Sequence, residues 1–523
     1  MNDRSEIIEQ LTAADLDILV TGGGIVGAGV ARDAAMRGLR VGLVEQRDLA
    51  FGTSSRSTRL LHGGLRYLAQ GHVGLVYQSS REKKILHGIA PHISRPLPII
   101  FPTYRLTQWP FWKLRIGVKI YDLLCGGRNL GPSCGLSAGE TLARLPGLNP
   151  YDLTGAVRYF DSQSNDARLV IDTLRSAAGH GAIIANYLRL ETAIAGKNRW
   201  ECYLRDTLGD RTHRVFARTV VNACGPWSAT LPHGSVRLRL TKGVHLVIDR
   251  RRFGVPDAVM VTKGQRTLFV IPWGERSILG STDTDYDGPL DDVRTEPDDV
   301  RYVLEVINRY FPEAKLTPSD ILSTWAGLRP LIASGRGGPS DISRAHQILM
   351  PKPGWIDVAG GKLTTYRLIG EQVVDHIVKY LHKKIPSCRT AEEPLCANLE
   401  FLPSPIETGA GTVLPSPFGR GAGGEGDEAR QNARIESGIL PPPICREVVE
   451  HYCRNEWAVH LDDVMIRRTS WHYYLDNPLE TARQVTAWMA EICSWDAPRQ
   501  DSELTRYRRQ VEIDTACRAL GIY

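Results

Sequence analysis

Gly22, Gly24 and Gly27 stand as Gly-x-Gly-x-x-Gly in the stretch TGGGIVGAG, a spacing that exposes bare backbone to a phosphate. The first glycine permits a tight turn, the second lets a pyrophosphate approach, and the third lets a helix lie close on a strand. Glu45 follows 23 residues after Gly22, where a carboxylate accepts hydrogen bonds from both hydroxyls of a ribose and repels a 2′-phosphate. These residues predict a bound dinucleotide, and by themselves they leave NAD and FAD open. Asp283, Asp285, Asp287 and Gly288 begin like a calcium loop, but its twelfth position is Arg294 where a bidentate Glu is required, so no metal is expected.

The glycine turn works only between a strand and a helix, and the flanking sequence predicts both. Asp17–Val20 (DILV) reads as a short strand, the turn runs over Gly22–Gly29, and an alanine-rich helix follows towards Gly38 as its C-cap. Val41–Val44 is a second strand ending at Glu45. Further strands are expected at His245–Ile248, Thr267–Ile271 and Ser277–Leu279, and another strand, turn and helix from Ile356 to about Tyr380. Between Leu402 and Glu428 the composition turns to Pro, Gly and Ser with few apolar anchors, which predicts a flexible linker or insertion. Beyond it, Val485, Trp488, Met489 and Ile492 recur at helical spacing, and Val448, Val449, Tyr452 and Cys453 make a similar stripe; both read as core faces.

At 523 residues the chain has room for two to four domains. Sixty-four Lys and Arg against 58 Asp and Glu leave a net charge of only +6, so no nucleic-acid binding is expected and any need for cations must be met locally. No apolar run approaches the roughly 18 to 20 residues of a membrane span, and the first residues lack the profile of a secretion signal, which together predict a cytoplasmic protein. The ten cysteines form no Cys-x-x-Cys pair, so neither a zinc site nor a disulfide framework is expected.

GTSSRSTRLLHGGLRYL (Gly52–Leu68) resembles the signature that follows the first βαβ unit of FAD-dependent glycerol-3-phosphate dehydrogenases. DARLVIDTL (Asp166–Leu174), VVNACGPWS (Val220–Ser228), TKGVHLVI (Thr241–Ile248) and IPWGERSILGSTDTDY (Ile271–Tyr286) continue the likeness, followed by GLRPLI (Gly327–Ile332) and GGKLTTYR (Gly360–Arg367). It spans about residues 15 to 380, with a weaker likeness in DDVMIRRT (Asp462–Thr469). Arg59 and Leu61 are mild departures from the Lys and Ile that relatives often carry, and the 402–428 insertion is the larger one. The resemblance implies an α/β fold of the D-amino-acid oxidase superfamily. Its parts would be a Rossmann-like FAD-binding domain (15–80, 151–235, 346–385), a mixed β-sheet substrate domain (81–150, 236–345), a linker at 400–430 and a C-terminal α-helical cap (431–523).

It also implies FAD as the cofactor and the oxidation of sn-glycerol 3-phosphate to dihydroxyacetone phosphate, the C2 hydride passing to flavin N5 and the electrons to a membrane quinone. Arg329 and Lys362 then resemble the residues that hold the substrate phosphate, with Arg66 and Tyr67 as further substrate contacts. His62 is placed first as the base because it shares a turn with Arg66, and His245 second. Thr53, Ser54, Ser55, His62, Gly63 and Gly64 resemble flavin and phosphate contacts, Leu190 an adenine contact, and Asn222 and Gly225 residues beneath the dinucleotide. Gly361, Lys362, Leu363, Thr364 and Thr365 would open a helix whose amides face the flavin pyrimidine.

A quinone acceptor implies peripheral contact with the inner face of the cell membrane. WPFWKLRIGVKIYDLL (Trp109–Leu124) mixes aromatics with Lys113, Arg115 and Lys119 as an interfacial helix does, although a substrate-domain helix with a solvated basic edge accounts for it more simply, and peripheral attachment rests mainly on the resemblance. A homodimer is allowed but not required. Two other functions fit parts of the pattern: a flavin oxidase that hands electrons to oxygen, and an FAD-holding redox sensor without turnover.

Overall fold

The computed structural model describes residues 4–69, 71–105, 107, 109–126, 129–264, 266–333, 346–396 and 438–519. The 402–428 insertion therefore lies outside the described residues. Its organising element is a sheet in the order 346–352, 355–360, 212–222, 15–21, 41–44, 183–185. The strand Asp15–Thr21 sits at its centre, parallel to Val41–Val44 on one side and to Thr212–Asn222 on the other. Both faces are covered, so Asp15–Thr21 is buried from its second residue, apolar over Ile18–Val20, with the buried Asp17 accepting from Lys383 Nζ at 2.7 Å. The helix Ile25–Met36 lies on the sheet, and Gly27 is what lets it sit so close: a Cβ there would fall 2.0 Å from the carbonyl oxygen of Gly22. This is the predicted strand–turn–helix–strand unit, its first strand longer at both ends than the Asp17–Val20 expected.

A second sheet has ten strands, and its Pro330 shares a cavity wall with Thr21, Gly22 and Glu45 at the carboxyl ends of the first. Leu238–Asp249 is its pivot, antiparallel to Ile321–Ile332 and to Arg276–Gly280, which sets Thr241 opposite Arg329 and His245 opposite Trp325. The strands predicted at His245–Ile248, Thr267–Ile271 and Ser277–Leu279 all belong to it. Leu60–Leu61 and Leu153–Ser164, which the sequence assigned to the dinucleotide segments 15–80 and 151–235, also pair into this sheet. The division by segment needs that correction, because register with Ser94–Tyr104, not chain position, decides where Leu153–Ser164 lies.

The C-terminal residues form helices Arg446–Asn455, Pro478–Cys493 and Ala497–Thr515, joined through a wide helical turn at Asp463–Arg468. Val448, Val449, Tyr452, Val485 and Met489 are fully buried, as the stripes predicted, while Trp488, Ile492 and Cys453 are half-buried at the edge of the same cluster. The helical unit is docked by ion pairs removed from solvent. Asp48 accepts from Arg468 at 2.8 and 2.9 Å and from Arg467. Arg168 donates both its terminal nitrogens to Glu456, at 2.7 and 2.8 Å.

Candidate active site

Turn geometry builds the first half of the site. Gly22 has φ +109°, and a Cβ on it would meet the Ala223 carbonyl oxygen at 2.5 Å, so only glycine fits both the conformation and the space. The amide of Ile25, at the start of the helix, donates to Ser54 Oγ at 3.0 Å. Glu45 accepts from the Gly23 amide at 2.7 Å through Oε2 and from the Arg47 amide at 3.0 Å through Oε1. Burial pushes its carboxyl up from the ordinary value, and the two amides oppose that. These groups enclose a cavity of about 490 Å³ whose wall contains Gly22, Gly24, Glu45, Thr53, Ser54, Leu190, Gly225, Gly361, Lys362 and Leu363. A cleft of this size at the N-terminus of a helix, with a strand-end carboxylate in its wall, fits a dinucleotide.

A second cavity, about 260 Å³, opens from the first through a shared wall of Ile25, Thr53, Ser54, Pro330 and the turn Gly361–Leu363. It gathers His62, Gly64, Tyr67, His245, Arg329 and Lys362 from four separate stretches of chain. The Arg329 guanidinium lies across Gly243, where a Cβ would sit 2.3 Å from Nη2, and donates to Ser281 Oγ at 2.6 Å and Asp283 Oδ1 at 3.1 Å. Lys362 Nζ lies 4.2 Å from the centre of the Tyr67 ring and donates to Ser79 Oγ at 3.2 Å. His245 is 1% exposed, stacks on Trp325 at 5.1 Å and shares a 2.9 Å hydrogen bond between Nε2 and Thr58 Oγ1; its buried Nδ1 has no hydrogen-bond partner among the described residues. Burial, and then the cations Arg329 and Arg59, hold this imidazole well below its ordinary pKa of 6.5, so it is neutral at neutral pH.

The remaining expected residues stand behind these walls. Asn222 is fully buried and its amide donates to Ser228 O at 2.9 Å and Asp357 Oδ1 at 2.8 Å, so it braces the turn that carries Gly225. Thr364 Oγ1 accepts from the His62 amide at 3.0 Å and Thr365 Oγ1 donates to the Lys362 carbonyl at 3.3 Å, fixing backbone that does face the cavity. Leu363–Thr365 forms a short 3₁₀ turn, and the helix expected to begin there starts at Tyr366. The amide of Gly63 donates to the Tyr121 hydroxyl at 2.8 Å, Ser55 is buried, and Gly27 packs helix against strand. Arg66 lies on the short helix Leu65–Ala69, its side chain outside the described atoms. Thr58, Arg56, Asp161 and Asp283 also line the second cavity and were not singled out as site residues. Arg56, Thr58 and Asp283 stand inside motifs quoted above, Asp283 also within the calcium-like pattern.

Fold and paired cavities define a flavoprotein oxidoreductase, and the chain belongs to the FAD-dependent oxidoreductase (DAO) family, whose profile matches residues 17–375. Residues 427–500 match the C-terminal domain of alpha-glycerophosphate oxidase. The chain is 39% identical over 389 residues to the aerobic glycerol-3-phosphate dehydrogenase of Staphylococcus aureus (strain USA300), covering 73% of this chain and 70% of that protein. It superposes with a TM-score of 0.77 at 28% identity on glycerol-3-phosphate dehydrogenase from Bacillus halodurans complexed with FAD, with 99% of each chain covered. L-alpha-glycerophosphate oxidase from Mycoplasma pneumoniae shares the fold, at 16% identity and a TM-score of 0.57 over 72% of this chain and 96% of that one. FAD is the cofactor, and the larger cavity has the glycine turn, helix N-terminus and strand-end carboxylate that a dinucleotide needs.

Proposed function

We propose that this protein oxidises sn-glycerol 3-phosphate to dihydroxyacetone phosphate. The observation that carries the reading is the convergence of Arg329, Lys362 and two imidazoles in a small cavity opening into the flavin cleft. Names of the relatives point to the same substrate. Bound FAD supplies N5 of the ring as the hydride acceptor for C2 of the substrate. The chain's own residues do the rest. Arg329 offers a planar fork to the phosphate oxygens, and Lys362 adds a point charge from the turn between the cavities. Proton removal from the C2 hydroxyl needs a neutral base within reach. The sequence placed His62 first; the neutral ring of His245 in the wall of the small cavity supports His245 as the acceptor instead, while His62, whose amide donates to Thr364 Oγ1, lines the same cavity.

We further propose that the electrons leave to a membrane quinone and that the helix Phe111–Leu124 rests on the inner face of the membrane. No described helix is long and apolar enough to cross one. That helix buries Leu114, Val118 and Tyr121 inward and turns Trp112, Ile116 and Leu123 outward at 65%, 55% and 72% exposure, flanked by exposed Lys113, Arg115 and Lys119. The outward face is therefore apolar rather than a merely solvated basic edge, which supports contact with an anionic lipid surface. A second reading, transfer of the electrons to oxygen, is favoured by the match of residues 427–500 to an oxidase domain. Anaerobic bleaching of the flavin by sn-glycerol 3-phosphate tests the substrate, and absence of bleaching would remove it. Peroxide yield against reduction of a quinone analogue separates the two acceptors.

A further inference from the structure

The helical cap contains a thiol pair that the redox chemistry above does not use. Val449 and Cys453 are one turn apart on Arg446–Asn455; Val485, Met489 and Cys493 follow one another at intervals of four on Pro478–Cys493. Val449, Val485 and Met489 are fully buried in one cluster where the two helices pack together, so both cysteines lie at the rim of the same contact. Their environments differ: Cys493 is exposed, Cys453 is half-buried.

We propose that Cys453 and Cys493 are a peroxide-responsive pair that closes into a reversible disulfide, with Cys493 reacting first and Cys453 resolving it. A reactive cysteine of this kind is accessible, shifted towards its thiolate and adjacent to a second thiol. A helix C-terminus works against a thiolate at Cys493. A hydrogen bond from Cys453, with the nearby Arg454 and Arg499 guanidiniums, outweighs the cost of burial and lowers its pKa. The same hydrogen bond, with burial, raises Cys453 well above the ordinary value, so the thiolate sits on the exposed member.

The chemistry needs a peroxide as the oxidant and balances in two steps. The Cys493 thiolate attacks one peroxide oxygen; an S–O bond forms, the O–O bond breaks, and the other oxygen leaves as water after protonation. Cys453 sulfur then attacks Cys493 sulfur; an S–S bond forms, the S–O bond breaks and a second molecule of water leaves. Two thiols are oxidised by two electrons in all, and a dithiol reductant reverses the change.

The test uses the full-length holoprotein with hydrogen peroxide and a mass map of its non-reduced peptides. The expected product is a cross-link between the peptides carrying Cys453 and Cys493, two hydrogens lighter than the free pair and lost on adding dithiothreitol. In C453S the expected product is a Cys493 sulfenic acid trapped by dimedone; in C493S neither product appears. Before oxidation, Cys493 should alkylate faster than Cys134, the other exposed cysteine among the described residues. Retention of the flavin spectrum in both variants checks that they are folded. The proposal is overturned if Cys493 of the unsubstituted chain accumulates as sulfenic or sulfinic acid without cross-linking, if it pairs with a cysteine of another copy instead, or if it labels no faster than Cys134.

Discussion

Charge at single residues sets the chemistry of the small cavity. Arg329 stands beside Asp283 and within the field of His245, so it discourages protonation of the ring, and under the proposed function it also meets the substrate phosphate. A charge-assisted contact is worth about 1.5 to 3 kcal/mol, so Arg329→Ala should raise KM for glycerol 3-phosphate about ten- to a hundredfold. Flavin content should stay unchanged, because Arg329 is not in the wall of the larger cavity; steady-state kinetics with the flavin absorbance decide it. For His245 the sign follows from linkage. Its folded pKa lies below 6.5, so the unfolded chain binds a proton that the folded one refuses, and stability falls as pH drops from about 6.5 towards the depressed value. His245→Asn should flatten that part of the stability curve and slow anaerobic flavin reduction in stopped flow, whereas an unaltered reduction rate would return the proton-accepting role to His62.

Two elements carry consequences beyond the cavities. The cap is held by Arg168–Glu456 and by Asp48 between Arg467 and Arg468, pairs that lose their water on docking. Burial alone would raise the Glu456 carboxyl, but Arg168, then His451 and Arg175, hold it far below its ordinary 4.5. Its stabilisation is therefore fully present above about 4.5 and lost as pH falls further, so the protein should be acid-labile in that window. Arg168→Met would leave Glu456 buried against fewer cations and cost about 3 kcal/mol, read as a lowered midpoint in urea at pH 7. The helix Phe111–Leu124 is the other element. Replacing exposed Trp112 and Ile116 by Glu removes apolar contact and adds repulsion, so flotation with anionic vesicles should drop sharply while activity with a soluble acceptor persists.

At the scale of the whole molecule the flavin cleft is a seam. Gly22, Glu45 and Leu190 come from the parallel sheet and its appended strands, Pro330 from the second sheet, and Lys362 from the turn after the last parallel strand. A ligand held by all of them stabilises the folded chain in proportion to its occupancy, by about 2.7 kcal/mol at a hundredfold excess over Kd. Stripping the flavin should lower Tm, and adding it back should restore Tm as the free concentration passes Kd, measured by thermal scans across a titration.

The local part of this design was legible from sequence. Gly22, Gly24, Gly27 and Glu45 announce their cleft because a tight turn, a close helix and a strand-end carboxylate are short-range requirements, met within two dozen residues. The apolar stripes at Val448–Tyr452 and Val485–Met489 show for the same reason: helical periodicity is local. What only the tertiary structure decided is long-range. Pairing of Leu238–Asp249 with Ile321–Ile332 sets His245 against Trp325 and Arg329 across Gly243, and no spacing in the chain encodes that register. Burial of His245, which keeps it neutral, likewise depends on strands far apart in sequence. So does the partnering of Asp48 with residues more than 400 positions away, since a carboxylate and a guanidinium look alike in sequence whether they meet in the core or face water.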